Sequence, residues 1–288
     1  TIYVQGSSIV YPDFHIKKRL HIIGVGIKPT SNYLYGYPST VDRVYFDTIN
    51  YISGASGSII EGMSITRIYA YTGCKNIIIR RNKLGYSISL TNIVNLLFHN
   101  NIAQSLAISG STNVLIMNNI FYGSISTGST TTIISNNIFI NTGAFSGCAN
   151  STITNNIFYY SAVTGATFSN FSNNIGYGIS TNVLQGSNSG SGNFSADPKF
   201  VYKYTGNAYS DLDNYHLQSI SPCKNAGTDG TDIGIFGGQY PFPESALLNY
   251  PHLITPMIPV MQELIIQNAS VPANGTLNFS VKAYKTTK

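Results

Sequence analysis

The chain has 288 residues, of which only 9% are charged, and a net charge of +5 from 16 basic and 11 acidic side chains. Soluble proteins average about 25% charged residues, so this surface must be built from Ser, Thr, Asn and Tyr. The small, dispersed basic excess argues against nucleic acid as a partner. The absence of any apolar run of about 18 residues excludes a transmembrane helix, and three cysteines without a CxxC or Cys/His cluster argue against zinc.

Residues 1–28 read as short strands separated by glycines, with a basic run Lys17-Lys18-Arg19. Residues 29–40 form a Tyr/Pro/Gly-rich loop that carries Tyr33, Tyr35 and Tyr37, with Tyr45 close behind. More strands follow over residues 41–63. From Ile77 to Gly176 a repeat dominates. Asn118-Asn119-Ile120-Phe121 returns as Asn136-Asn137-Ile138-Phe139 and Asn155-Asn156-Ile157-Phe158, with weaker copies at Asn100-Asn101 and Asn173-Asn174; the steps are 18, 18, 19 and 18 residues. A fixed short period that returns one residue type to one place marks a solenoid.

Relative to the first Asn of each copy, position −2 is Ile79, Phe98, Ile116, Ile134, Ile153 and Phe171. Position −4 is Ile77, Leu96, Val114, Thr132, Ser151 and Ser169. Both columns fall on one face of a strand, since side chains alternate with period two. Stacked at about 4.8 Å, they build one continuous core. The second Asn of each copy, the column Asn82, Asn101, Asn119, Asn137, Asn156 and Asn174, carries donor and acceptor and reads as a hydrogen-bonded ladder. Asn also tolerates the left-handed backbone of a sharp corner. Position −3 is Ile78, Leu97, Leu115 and Ile133: an outward apolar stripe over four coils, expected to be covered by the tail, by a long loop or by a partner chain.

Residues 185–192 are rich in Ser, Gly and Asn and read as a flexible loop. Residues 197–238 are expected to close the barrel. The tail, residues 239–288, is Pro-rich and extended. Within it, Glu263-Leu264-Ile265-Ile266-Gln267 and Thr276-Leu277-Asn278-Phe279-Ser280-Val281 read as two strands of a hairpin joined through Pro272-Ala273-Asn274-Gly275. The predicted organisation is a parallel β-helix over residues 1–238, with the tail packed on it.

The repeat, the opening strands (Thr1-Ile2-Tyr3-Val4, Leu20-His21-Ile22-Ile23-Gly24, Ile59-Ile60-Glu61-Gly62) and the closing motifs (Asp197-Pro198-Lys199-Phe200, Ser221-Pro222-Cys223, Asp232-Ile233-Gly234) resemble the pectate-lyase-like superfamily of right-handed parallel β-helix proteins. The resemblance covers about residues 1–238 and is specific for fold, not for activity. With the weakly charged surface, it implies a secreted or surface-attached protein of bacterial type that meets polysaccharide; no signal peptide is present, and any export signal is expected to have been removed before Thr1.

The chemistry is sparse. Between Lys83 and Asp197 stand 113 residues without Asp, Glu, Lys or Arg. Glycoside hydrolysis ordinarily needs two flanking carboxylates, and a lyase needs a base and a cation. Any active site must therefore use the first coils, whose candidates are Glu61, Arg67, Lys75, Arg80, Arg81, Lys83 and His99. Arg80, Lys83 and His99 are expected to group as a basic patch for an anionic sugar; the plain alternative is a solvated patch. Tyr33, Tyr35, Tyr37 and Tyr45 are candidate sugar-stacking rings. Asp211, Asp213, Asp229 and Asp232 lie near the closing segment, and Asp229 with Asp232 are candidate calcium ligands; turn capping is the alternative. No other cofactor is expected. Cys74 and Cys148 read as buried fillers.

The favoured expectation is a non-catalytic protein that binds glycan or serves a structural or adhesive role. The alternative is a polysaccharide lyase or glycoside hydrolase with its site on the N-terminal coils. An ice-binding surface finds little support, because Thr127 and Thr130 to Thr132 cluster in one coil instead of recurring. Self-association through Ile78, Leu97, Leu115 and Ile133 is expected if the tail leaves them bare.

Overall fold

The computed structural model describes residues 1–26, 39–46, 54–70, 73–128, 132–180 and 183–242, together with the strands Pro259–Ile266 and Phe279–Lys285. The fold is all-β: a parallel β-helix of about nine coils. Among the described residues no helix is long and apolar enough to cross a membrane.

Each middle coil has three faces. The first face is a sheet of nine strands, Ile2–Tyr3, His21–Ile23, Ile59–Glu61, Lys75–Arg80, Val94–His99, Thr112–Met117, Thr132–Ser135, Ser151–Thr154 and Asn170–Ser172. The second face holds short strands, among them Ile102–Ala103, Ile120–Phe121, Ile138–Ile140 and Ile157–Tyr159. The third holds Leu106–Ser109, Ile125–Gly128, Phe145–Ala149 and Ala166–Thr167. In the early coils the last two faces are one: the start of Lys83–Thr91 pairs with Ile102–Ala103 and its end with Leu106–Ser109.

The inward columns are as the period requires. Ile79, Phe98, Ile116, Ile134, Ile153 and Phe171 are fully buried, and so are Ile77, Leu96 and Val114. Burying each such side chain contributes about 2 kcal/mol. The four-residue Asn-Asn-Ile-Phe motif divides its labour. The first Asn (Asn100, Asn118, Asn136, Asn155, Asn173) adopts φ of 51–57°, the left-handed corner between the first two faces. The second Asn is buried and forms the ladder: the backbone N–H and Nδ2 of Asn101 donate to Asn119 Oδ1 at 2.9 and 3.1 Å, and each step repeats to Asn174. Nδ2 also donates to two backbone carbonyls, as Asn119 does to Phe98 and Met117. The Phe points inward and stacks on its equivalents, with centroids 5.3 Å apart for Phe121–Phe139 and 5.2 Å for Phe139–Phe158. The Ile points outward into a second apolar cluster.

That second cluster corrects the expectation for residues 197–238. They do not close the barrel as a further coil. After Phe194–Ser195, which pairs with the second face, the chain forms an antiparallel pair, Phe200–Tyr202 with Asn214–Leu217, and then runs along the outside of the second face. Phe200, Tyr215, Leu217, Ile233, Ile235 and Phe242 cover Ile102, Ile120, Ile138, Ile157 and Ile175. This strap is fastened to the first-Asn column, where Nδ2 of Asn173, Asn155, Asn136, Asn118 and Asn100 donates in turn to Ala226 O, Thr228 Oγ1, Gly234 O, Gly237 O and Tyr240 O. The strap therefore travels back toward the first coils.

Residues 185–192, expected as a flexible loop, instead belong to another rung. Ser189 bridges Asn170, Asn188 Oδ1 accepts from the Ser169 N–H, and Asn193 Oδ1 extends the ladder beyond Asn174. In the tail, Pro259–Ile266 pairs antiparallel with Phe279–Lys285. The described strands overlap both predicted ones, and Thr276-Leu277-Asn278 and the expected turn at Asn274-Gly275 lie outside the described residues.

Candidate functional site

On the outer surface of the first face, Glu61, Arg80 and His99 occupy one column in adjacent rungs, followed by Met117. Glu61 is almost buried; Arg80 donates to it through Nε (2.8 Å) and Nη2 (3.1 Å), and His21 Nε2 lies 2.7 Å from its Oε1. Arg81 Nη1 stands 3.9 Å away. Burial pushes the Glu61 carboxyl up, but the Arg80 hydrogen bond and charge, with His21, pull it below the ordinary glutamate value. A carboxylate so held is a poor general acid. His99 is buried, its Nδ1 is 2.6 Å from Asn100 Oδ1, and its ring lies against Tyr240 at 4.6 Å. Burial, then the Arg80 and Arg81 charges, lower its pKa to about 4.

Lys83 does not join this group. It lies past the corner on the second face, with Nζ 2.6 Å from Asp211 on the strap. The expected patch of Arg80, Lys83 and His99 is thus divided: Arg80 is spent on Glu61, Lys83 on Asp211, and His99 is neutral. The register explains the difference, since Lys83 follows the left-handed residue Arg81 that turns the chain.

The acidic candidates also do separate work. Asp229 Oδ1 accepts from the N–H and hydroxyl of Thr231, and Asp232 Oδ1 accepts from the Asn225 N–H while Oδ2 meets Lys224. Both cap turns. Among the described residues no three His, Cys, Asp or Glu side chains converge as metal ligands. Asp213 is buried at the heart of the strap, accepting from Lys203 Nζ (2.6 Å), Tyr215 Oη (2.7 Å) and two backbone N–H groups. Cys74, Cys148 and Cys223 are buried, and burial raises the last to about 12.

Tyr33, Tyr35 and Tyr37 lie outside the described residues. Tyr45 lies instead in a strand, Thr40–Phe46, and anchors an aromatic column that the repeat did not reveal. His15, Tyr45 and Tyr69 pair in register on successive strands of the third face. Their rings stack with centroids 4.6 and 5.4 Å apart. Arg43 and Arg67 form the neighbouring column, tied to Asp13 (3.6 Å) and Asp42 (3.5 and 3.3 Å). Next to them the register slips by one residue, because Ile65 pairs with Leu84 but Arg67 with Ser87. This bulge turns Tyr86 outward, 68% exposed, with Arg67 5.9 Å from its ring centroid. Bulges commonly re-aim a side chain in this way. The members are 30 and 24 residues apart (His15, Tyr45, Tyr69), so an 18-residue search passes over them.

No family model matches the chain, and no curated protein matches it.

Proposed function

We propose that this is a non-catalytic β-helix protein of the pectate-lyase-like superfamily, secreted or held at a bacterial cell surface, that binds polysaccharide on the third-face platform. The observation that supports this reading is the surface group of half-buried Tyr45 and Tyr69 and exposed Tyr86, with Arg43, Arg67, Asp13 and Asp42. Tyrosine offers an apolar ring for the C–H face of a sugar and a hydroxyl for its rim. Guanidinium donors and carboxylate acceptors match rows of sugar hydroxyls, which both donate and accept. Two cations against two anions leave the platform near neutral, which favours a neutral polysaccharide over a uronate chain. The saturation of Glu61 and the separation of Lys83 from Arg80 weigh against the lyase or hydrolase alternative.

The test is titration calorimetry against neutral chains (xylan, glucomannan, mixed-linkage glucan) and acidic ones (pectate, alginate), with an ultraviolet assay for unsaturated uronate run in parallel. We expect binding to a neutral chain, weakened at least tenfold by Tyr86→Ala and unchanged by Lys83→Ala. Binding indifferent to both Tyr86→Ala and Tyr45→Ala would reject the platform. Product formed by wild type and lost in Arg80→Ala would establish the lyase alternative instead.

A further inference from the structure

The outward stripe Ile78, Leu97, Leu115 and Ile133 lines a groove of about 620 Å³ on the first face. Leu97 and Leu115 are half-buried and Ile133 is 41% exposed. Along one side run Asn76, Asn95 and Asn113, all left-handed, with Asn95 Nδ2 donating to Asn76 Oδ1 and Asn113 Nδ2 to Asn95 Oδ1. Along the other run Arg80, His99 and Met117. This is an apolar sheet face in want of a second layer.

The same chain holds a hairpin in want of a first. Pro259–Ile266 and Phe279–Lys285 form a sheet of two strands, and such a unit is marginal on its own in water. Its register pairs Ile266 with Phe279, Leu264 with Val281 and Met261 with Ala283. Across the register shift between Met261 and Glu263 these three pairs share one parity, and all six residues are apolar; the other parity pairs Ile265 with Ser280, Glu263 with Lys282 and Val260 with Tyr284. The strap delivers the chain to the groove's edge: Tyr240 lies against His99, one outward position from Leu97. Sixteen residues, 243–258, then precede the hairpin, a tether of up to ~50 Å, against a groove of four rungs spanning about 15 Å.

We propose that the C-terminal hairpin packs its apolar face onto this groove within the same chain, adding a second β-layer over Leu97, Leu115 and Ile133. Beyond Lys224 the only trypsin sites are Lys282, Lys285 and Lys288, so cleavage at Lys282 reports the hairpin's state. Leu97→Asp with Leu115→Asp is expected to raise that cleavage rate at least tenfold while the circular dichroism of the solenoid is retained; an unchanged rate overturns the proposal. A benzophenone label on Leu115→Cys is the second measurement. Photolysis should join it to peptide 259–285 in a product of monomer mass. Cross-links confined to the solenoid, or covalent dimers, overturn docking within the chain, the latter in favour of a second copy as the occupant.

Discussion

Asn118 and Asn119 are chemically identical neighbours with different duties, and only the fold tells them apart. Asn118 holds a left-handed corner and fastens the strap through Ile235 O and Gly237 O; Asn119 is sealed in the ladder. Gly accepts a left-handed φ without strain, so Asn118→Gly loses only the strap bonds, at about 1–2 kcal/mol. Asn119→Gly strands the Asn101 amide and the carbonyls of Phe98 and Met117 in the core. That costs on the order of 4 kcal/mol, and urea titrations of the two variants should show the contrast. His99 gives a second test. It stays neutral in the folded chain down to about pH 4, whereas the unfolded chain takes up the proton near pH 6.5. The unfolded state therefore binds more protons between these values, so stability is complete above about 6.5 and falls as the pH drops toward 4, by on the order of 3 kcal/mol. Glu61, with its lowered value, adds its loss only at lower pH. Denaturant titrations at pH 7.5 and 4.5 should differ for wild type and converge for His99→Gln. The ladder was legible in the sequence because Asn recurs at a fixed step. The His15–Tyr45–Tyr69 column was not, because the early coils differ in length while register alone aligns the rings.

At the level of the element, the strap is organised by one carboxylate. Asp213 binds Lys203, Tyr215 and the N–H groups of Tyr204 and Ser210, and Lys203 Nζ also lies 5.4 and 5.0 Å from the ring centroids of Tyr159 and Tyr215. The pair is inside, with side-chain exposures of 10% and 0%. Removing one partner of such a pair leaves an uncompensated charge, worth about 3–5 kcal/mol, whereas replacing both with apolar groups is far milder. Asp213→Ala should therefore loosen the antiparallel pair Phe200–Tyr202/Asn214–Leu217, seen as faster amide exchange at Tyr215 and Leu217. Lys203→Met with Asp213→Leu should recover part of the loss. Sequence reading placed residues 197–238 at the barrel's end because motifs such as Asp197-Pro198-Lys199-Phe200 and Asp232-Ile233-Gly234 resemble the closing segment of pectate-lyase-like proteins. The missing signal was the paired need: an outward Ile in every copy of Asn-Asn-Ile-Phe requires a cover.

For the whole molecule, stability is a sum of rung-to-rung contacts, each coil resting only on its neighbours, plus the strap that ties five of them together. A chain ended after Ala196 would bare Ile102, Ile120, Ile138, Ile157 and Ile175, which the strap buries. Such a chain should bind anilinonaphthalene sulfonate strongly and aggregate on gel filtration. A chain ended after Phe242 keeps that cover and should stay dispersed with an unchanged far-ultraviolet spectrum. The fold class was readable from the repeat because the core is periodic. The site was not, because nothing periodic marks the early coils where tyrosines and arginines gather.

The five amides that hold the strap also make it a gauge of length. They meet it at Ala226, Thr228, Gly234, Gly237 and Tyr240, one stop per coil. Duplicating or deleting an 18-residue unit leaves ladder and core intact, yet it puts the strap one stop out of step. Coil number and strap length are therefore bound to change together in any descendant of this sequence, although the segments that encode them lie far apart in the chain.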